Sequence, residues 1–249
     1  MAIEAILARK LRGEIRRRLT PYRHTVLLVA IIAVFLVRPL VGDSKAGLVL
    51  YSVSALALVF LALYNIDVEA LVGERGMLLA QRRRRSIIAW TLGIPAVVER
   101  LIVIFVPSPS LYLAGSVVWF LLLAFITWNE LRAVLRQKKI TREVISMAIS
   151  TYLLLGFTWA LFYILLHTLQ PNAFSLGGSA PLSEQQSMPV LIYFSLTTLS
   201  TIGFGDITPI TLQARYSAVA EGITGQFYLA ILVARLVGMQ MSQSAQVRE

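Results

Sequence analysis

The sequence predicts an all-α membrane protein of six transmembrane helices, with a re-entrant segment between helices five and six. Three observations lead there. The 249 residues are 57% hydrophobic and 14% charged, where an average soluble domain carries about 25% charge. The apolar residues gather into stretches able to cross about 30 Å of hydrocarbon at 1.5 Å per residue. Lys and Arg collect in alternate loops.

Thr25–Val41, Gly47–Ile66, Ile87–Val106, Leu111–Leu131 and Val144–Leu169 read as helices one to five, and Leu212–Gly238 as the sixth. Met188–Ser200 has only 13 residues, too few to span and the size of a re-entrant helix. Gly42–Ala46 and Pro107–Ser110 are tight turns, so successive helices form antiparallel hairpins. Met1–Arg23, the loop with Arg75 and Arg82 to Arg85, and the loop from Arg132 to Arg142 hold 17 of the 23 Lys and Arg residues. By the positive-inside rule those regions and both termini are cytoplasmic. No Lys or Arg occurs from His167 to Ala214, while Glu184 and Asp206 are acidic, a balance that attracts cations to the outer face.

Four regions follow. Residues 1–24 form a basic cytoplasmic segment whose Ile3, Leu7, Leu11, Ile15 and Leu19 recur at four-residue spacing, an amphipathic pattern suited to the inner membrane surface. With Arg82 to Arg85 it could meet anionic lipid headgroups. Residues 25–142 hold four helices, 143–240 the fifth and sixth helices with the re-entrant segment, and 241–249 a short cytoplasmic tail. Because the charged first 23 residues precede any apolar run, no cleavable signal is expected. About eleven residues follow Gly238, so no cytoplasmic ligand-binding domain is expected.

Several chemistries are excluded. There is no cysteine, hence no disulfide and no thiolate site. The net charge of +10 sits in loops between apolar stretches, so it marks topology and not a nucleic-acid partner. His24 and His167 lie at opposite ends of the topology. No Ser/His/Asp set, metal cluster or phosphate loop appears; no enzyme activity, resident metal or cofactor is expected.

The most informative run is Thr201-Ile202-Gly203-Phe204-Gly205-Asp206. It offers backbone carbonyls more than reactive side chains, and its glycines open dihedrals closed to residues bearing a Cβ. Carbonyl rings of this kind can replace the hydration shell of a monovalent cation. Following a half-length helix and lying between two spanning ones, the hexad resembles the selectivity filter of tetrameric potassium channels. The resemblance to their pore domain covers roughly Val144 to Gly238. The six-helix plan resembles the voltage-gated-like cation channel superfamily.

The resemblance implies a homotetramer with K+ as permeant ion. Thr201 would coordinate through hydroxyl and carbonyl, and Ile202, Gly203, Phe204 and Gly205 through carbonyls. Tyr193 and Phe194 fall where that family places aromatics behind the filter, and Asp206 completes the support. Thr197 stands where some relatives carry an acid, and Phe204 where many have tyrosine. A nonselective cation channel and a potassium transporter subunit are the competing readings; the single intact hexad disfavours the second.

Glu221, Gly222 and Gly225 are gating candidates in the sixth helix. Gly225 is either a hinge or, together with Gly222, a close helix contact. Glu221 either faces the cavity as a cation-attracting ring or turns outward to hydrogen-bond the re-entrant helix. The fourth helix lacks arginines; Arg132, Arg136, Lys139 and Arg142 recur beyond its cytoplasmic end as a linker, so gating is expected to be at most weakly voltage dependent. Glu99 and Arg100 lie in the third helix, where Glu99 is expected to pair with Arg38 of the first.

Overall fold

The computed structural model describes residues 22–41, 45–72, 79–105, 109–137, 139–176 and 184–246. Seven helices and two strands lie among them: α1 Arg23–Val41, α2 Lys45–Val72, α3 Leu79–Phe105, α4 Pro109–Arg136, α5 Arg142–Leu169, β1 Phe174–Leu176, α6 Glu184–Leu199, β2 Ile207–Pro209 and α7 Leu212–Gln246. The expected amphipathic segment falls almost wholly in residues 1–21, outside the described residues.

Each expected apolar stretch falls on one of these helices, except that Val106 lies outside the described residues and Ser200 follows the end of α6. Three helices are long and apolar enough to cross a membrane: Ser110–Arg136, Arg142–Leu169 and Leu212–Ser244. Shorter apolar helical stretches are Arg23–Val37, Ser52–Ile66 and Ser187–Leu199. The architecture is therefore that of an α-helical membrane protein, with three spanning candidates among the described residues where six were expected. The sixth helix also runs past Gly238 to Gln246, into the stretch read as a tail.

Local chemistry sets several helix ends. Thr141 caps α5, its hydroxyl accepting from Val144 N at 3.3 Å, and Thr211 caps α7 through Ala214 N at 3.3 Å; both relieve an orphan first-turn amide. The start of α1 is capped from another helix. Glu143 accepts from His24 N at 3.0 Å and from the Thr25 hydroxyl, which puts a carboxylate at the positive end of the helix. Beside it His24 Nδ1 lies 3.4 Å from Glu130, both side chains buried.

Two clusters organise the packing. Leu27, Ile31, Leu63, Ala89, Leu122 and Leu154 join α1 to α5 in one core. Tyr163, Phe174, Leu191, Phe194, Ile207 and Ala214 join α5, both strands, α6 and α7 in another. Lipid tails are as apolar as leucine, so helix association rests on close contact through small residues and on satisfied polar groups. Gly156 gives such a contact: a Cβ there would lie 2.5 Å from Leu196 Cδ2. Hydroxyls on α5 bond back along their own helix, Thr151 to Met147 O at 2.8 Å and Thr158 to Leu154 O at 2.7 Å.

Glu99 is engaged on α4. Its Oε2 accepts from Trp119 Nε1 at 3.0 Å, and its Oε1 lies where a Cβ on Gly115 would stand. The side chains of Arg38 and Arg100, the other members of the expected ion-pair cluster, lie outside the described residues. The described tie from Glu99 thus joins α3 to α4.

The strands are an addition to the all-α expectation. They pair antiparallel, Phe174 opposite Pro209, Ser175 opposite Thr208 and Leu176 opposite Ile207, and Ile210 N donates to Ala173 O at 2.8 Å. This small sheet fastens the chain after the hexad to the chain after α5.

Candidate functional site

The hexad begins where α6 ends. The last carbonyls of a helix lack intrahelical donors, and here the hexad supplies them. Thr201 N donates to Thr198 O at 3.0 Å, Ile202 N to Thr197 O at 2.9 Å and Gly203 N to Thr197 O at 3.2 Å. The leading amides therefore face the helix. No described donor meets the carbonyls of 201–205.

Backbone dihedrals explain the split. Thr201, Gly203 and Gly205 have φ of +59°, +51° and +80°, while Ile202 and Phe204 keep negative φ. Such alternation turns successive peptide planes the same way, amides to one side and carbonyls to the other. The two glycines are required by conformation and not by space, since a Cβ at either would meet nothing within 4 Å. Thr201 adopts the left-handed region despite its branched side chain, a cost of order 1 kcal/mol or more that the surrounding bonds must offset.

The supporting residues divide by face. Tyr193 stacks flat on Phe204, ring centroids 6.2 Å apart and planes within 4°, and its hydroxyl interacts with the Asp206 carboxylate. Phe194 points the other way, edge-on to Tyr163 at 5.2 Å and Phe174 at 5.3 Å. Thr197 uses its hydroxyl on Phe194 O at 2.9 Å, so its role at the hexad is carried by its carbonyl. Phe204 itself is 68% exposed in the single chain.

On α7, Glu221 is fully buried. Tyr163 of α5 donates to its Oε2 at 2.7 Å, and Ser195 of α6 lies 2.5 Å from its Oε1. Of the two orientations open from sequence, the structure has the one that reaches α6. Gly225 packs against the end of that helix: a Cβ there would stand 2.2 Å from Leu199 O, whereas at Gly222 the nearest atom is 3.9 Å away. Gly225 is thus closely packed, within an unbroken α7. Tyr152 adds a bond to Leu199 O at 3.2 Å, and Gln226 Nε2 reaches Thr201 Oγ1 at 3.4 Å.

Sequence reasoning did not single out Ser195, Tyr163, Tyr152 or Phe174. Hydroxyls and rings inside apolar helices gave a signal only for Tyr193 and Phe194, which flank the motif.

This arrangement offers a line of carbonyls without a described donor, braced by a short helix. Residues 147–241 match the family described as ion channel. The match covers well under half of the chain, and together with the apolar helices it supports a membrane protein whose later part is similar to ion channels. Two curated relatives, each called Protein LctB, match as well. The one from Geobacillus stearothermophilus is 34% identical over 86 residues, 34% of this chain and 62% of the relative. The one from Bacillus caldotenax is 35% identical over 89 residues, with the same shares. The chain thus spans 62% of the length of these relatives. No solved structure matches the chain.

Proposed function

We propose that this protein is a potassium-selective channel, a homotetramer that conducts K+ passively through carbonyl rings of Thr201, Ile202, Gly203, Phe204 and Gly205. The observation that carries the reading is the alternation of φ along the hexad, with amides held by α6 and carbonyls unpaired. Four such segments about one axis would offer stacked oxygen sites in place of water. The Thr201 hydroxyl adds the innermost ligand.

A tetramer is supported by what the single chain leaves uncovered. Only 11% of the apolar stretch of α7 is buried, against 44% for α5. Tyr216, Val219, Ile223, Phe227 and Ile231 are exposed at three- and four-residue spacing along α7, a stripe suited to neighbouring copies. At the far end of the bundle Arg132, Arg136, Lys139 and Arg142 are exposed, which suits anionic lipid headgroups at a cytoplasmic cell-membrane face.

The test is uptake of rubidium tracer into liposomes holding the purified protein. Uptake should be driven by a K+ gradient and should not be matched by sodium. Equal entry of sodium would leave a nonselective cation channel, and no exchange at all would remove the reading.

A further inference from the structure

We infer that Glu221 is a positioning residue for the 201–205 segment, acting through hydrogen bonds as a neutral carboxylic acid and not as a charge. The inference deepens the channel reading and rests on it for its conduction readout, while its geometry stands on three helices alone.

Four oxygen-bearing groups converge on one buried spot: the Tyr163 phenol and the Gly156 carbonyl of α5, the Ser195 hydroxyl of α6 and the Glu221 carboxyl of α7. Tyr163 gives its proton to Glu221 Oε2 at 2.7 Å. Ser195 Oγ then lies 2.6 Å from Gly156 O and 2.5 Å from Glu221 Oε1. A serine hydroxyl has one proton, and Gly156 O has none to give. With an ionised carboxylate, one of those two short contacts would set lone pair against lone pair. A proton on Oε1 resolves it: the carboxyl donates to Ser195, and Ser195 donates to Gly156 O. Each contact is then a bond.

The surroundings agree with the count. Glu221 is 0% exposed, and no Lys, Arg or His among the described residues forms an ion pair with it. An unpaired carboxylate in such a place would be far costlier than a hydrogen-bonded neutral acid.

The chain of bonds has a mechanical outcome. Ser195 lies on the same short helix whose Thr197 and Thr198 carbonyls hold the amides of Thr201, Ile202 and Gly203. Fixing Ser195 against α5 and α7 fixes the height of that helix, and with it the carbonyl line. Glu221 touches no part of the ion path itself.

The test is single-channel recording in planar bilayers, with thermal unfolding of the same purified samples. Glu221→Gln can offer the same bonds, an amide N–H to Ser195 and an oxygen to Tyr163, so its open bursts and unfolding midpoint should stay near wild type. Glu221→Ala and Glu221→Asp lose or misplace them, and bursts should shorten by about tenfold at unchanged unit conductance, the scale of one or two hydrogen bonds. Should these variants fail to fold, Tyr163→Phe removes one oxygen and should shorten bursts in the same direction. If Gln is as damaging as Ala, the charge is what matters and the inference falls. It falls too if Ala matches wild type, or if unit conductance drops with burst length. If the wild type carries no current, the channel reading fails separately, and the order of unfolding midpoints still decides the proton count.

Discussion

Gly225 on α7 and Leu199 at the end of α6 meet so closely that a Cβ on the glycine would lie 2.2 Å from the leucine carbonyl oxygen. The obstacle is backbone, and it cannot swing aside as a side-chain tip could. Gly225→Ala should therefore cost about 1–3 kcal/mol, the range for overpacking, read as a lower unfolding midpoint. Gly222→Ala has room, since its nearest neighbour is 3.9 Å away, and should gain up to ~1 kcal/mol from helix propensity. Equal effects at the two glycines would refute this contact.

Gly203→Ala separates conformation from packing. The new methyl meets open space, but φ of +51° is the left-handed region, at a penalty of about 1–2 kcal/mol. Helical content by circular dichroism should be unchanged, while rubidium uptake should collapse. Full uptake would mean that the hexad does not line the path.

Trp119→Phe removes the indole proton that Glu99 accepts at 3.0 Å. A half-buried carboxylate oxygen then loses its donor, at a cost of about 1–3 kcal/mol. The unfolding midpoint should fall and the ion selectivity should not change, because this pair ties α3 to α4 and has no described hydrogen bond to the hexad.

Neutralising Arg132 and Arg136 together should leave the conductance–voltage relation unchanged. Arg132 rests over the Trp128 ring at 4.5 Å, and Arg136 closes the last turn of α4. Charges at a helix end cross little of the field, and the ~2.3 kcal/mol per charge per 100 mV applies only to charge that traverses it. A steep curve that flattens in the double variant would contradict this.

What could be read from the chain follows from range. Apolar stretches and the Gly-Phe-Gly run are local, so helix positions and the hexad were visible without coordinates. Glu221 was visible as an acid in an apolar helix, yet its direction depended on Ser195, 26 residues away, and Tyr163, 58 away. Nothing in a single sequence says which helix faces meet. Phe174–Leu176 escaped because three residues carry no alternation to recognise, and their order comes from pairing with β2. For Glu99 the sequence points to Arg38, whose side chain lies outside the described residues; the donor that is described, Trp119, is an indole that hydropathy treats as apolar.

The amides of Thr201, Ile202 and Gly203 hold carbonyls of the very helix that precedes them. Rotating any of those peptide planes would therefore unwind the end of α6 at the same moment. Local rearrangement here is forced to be collective: the segment either keeps its oxygens aligned or loses a helical turn along with them.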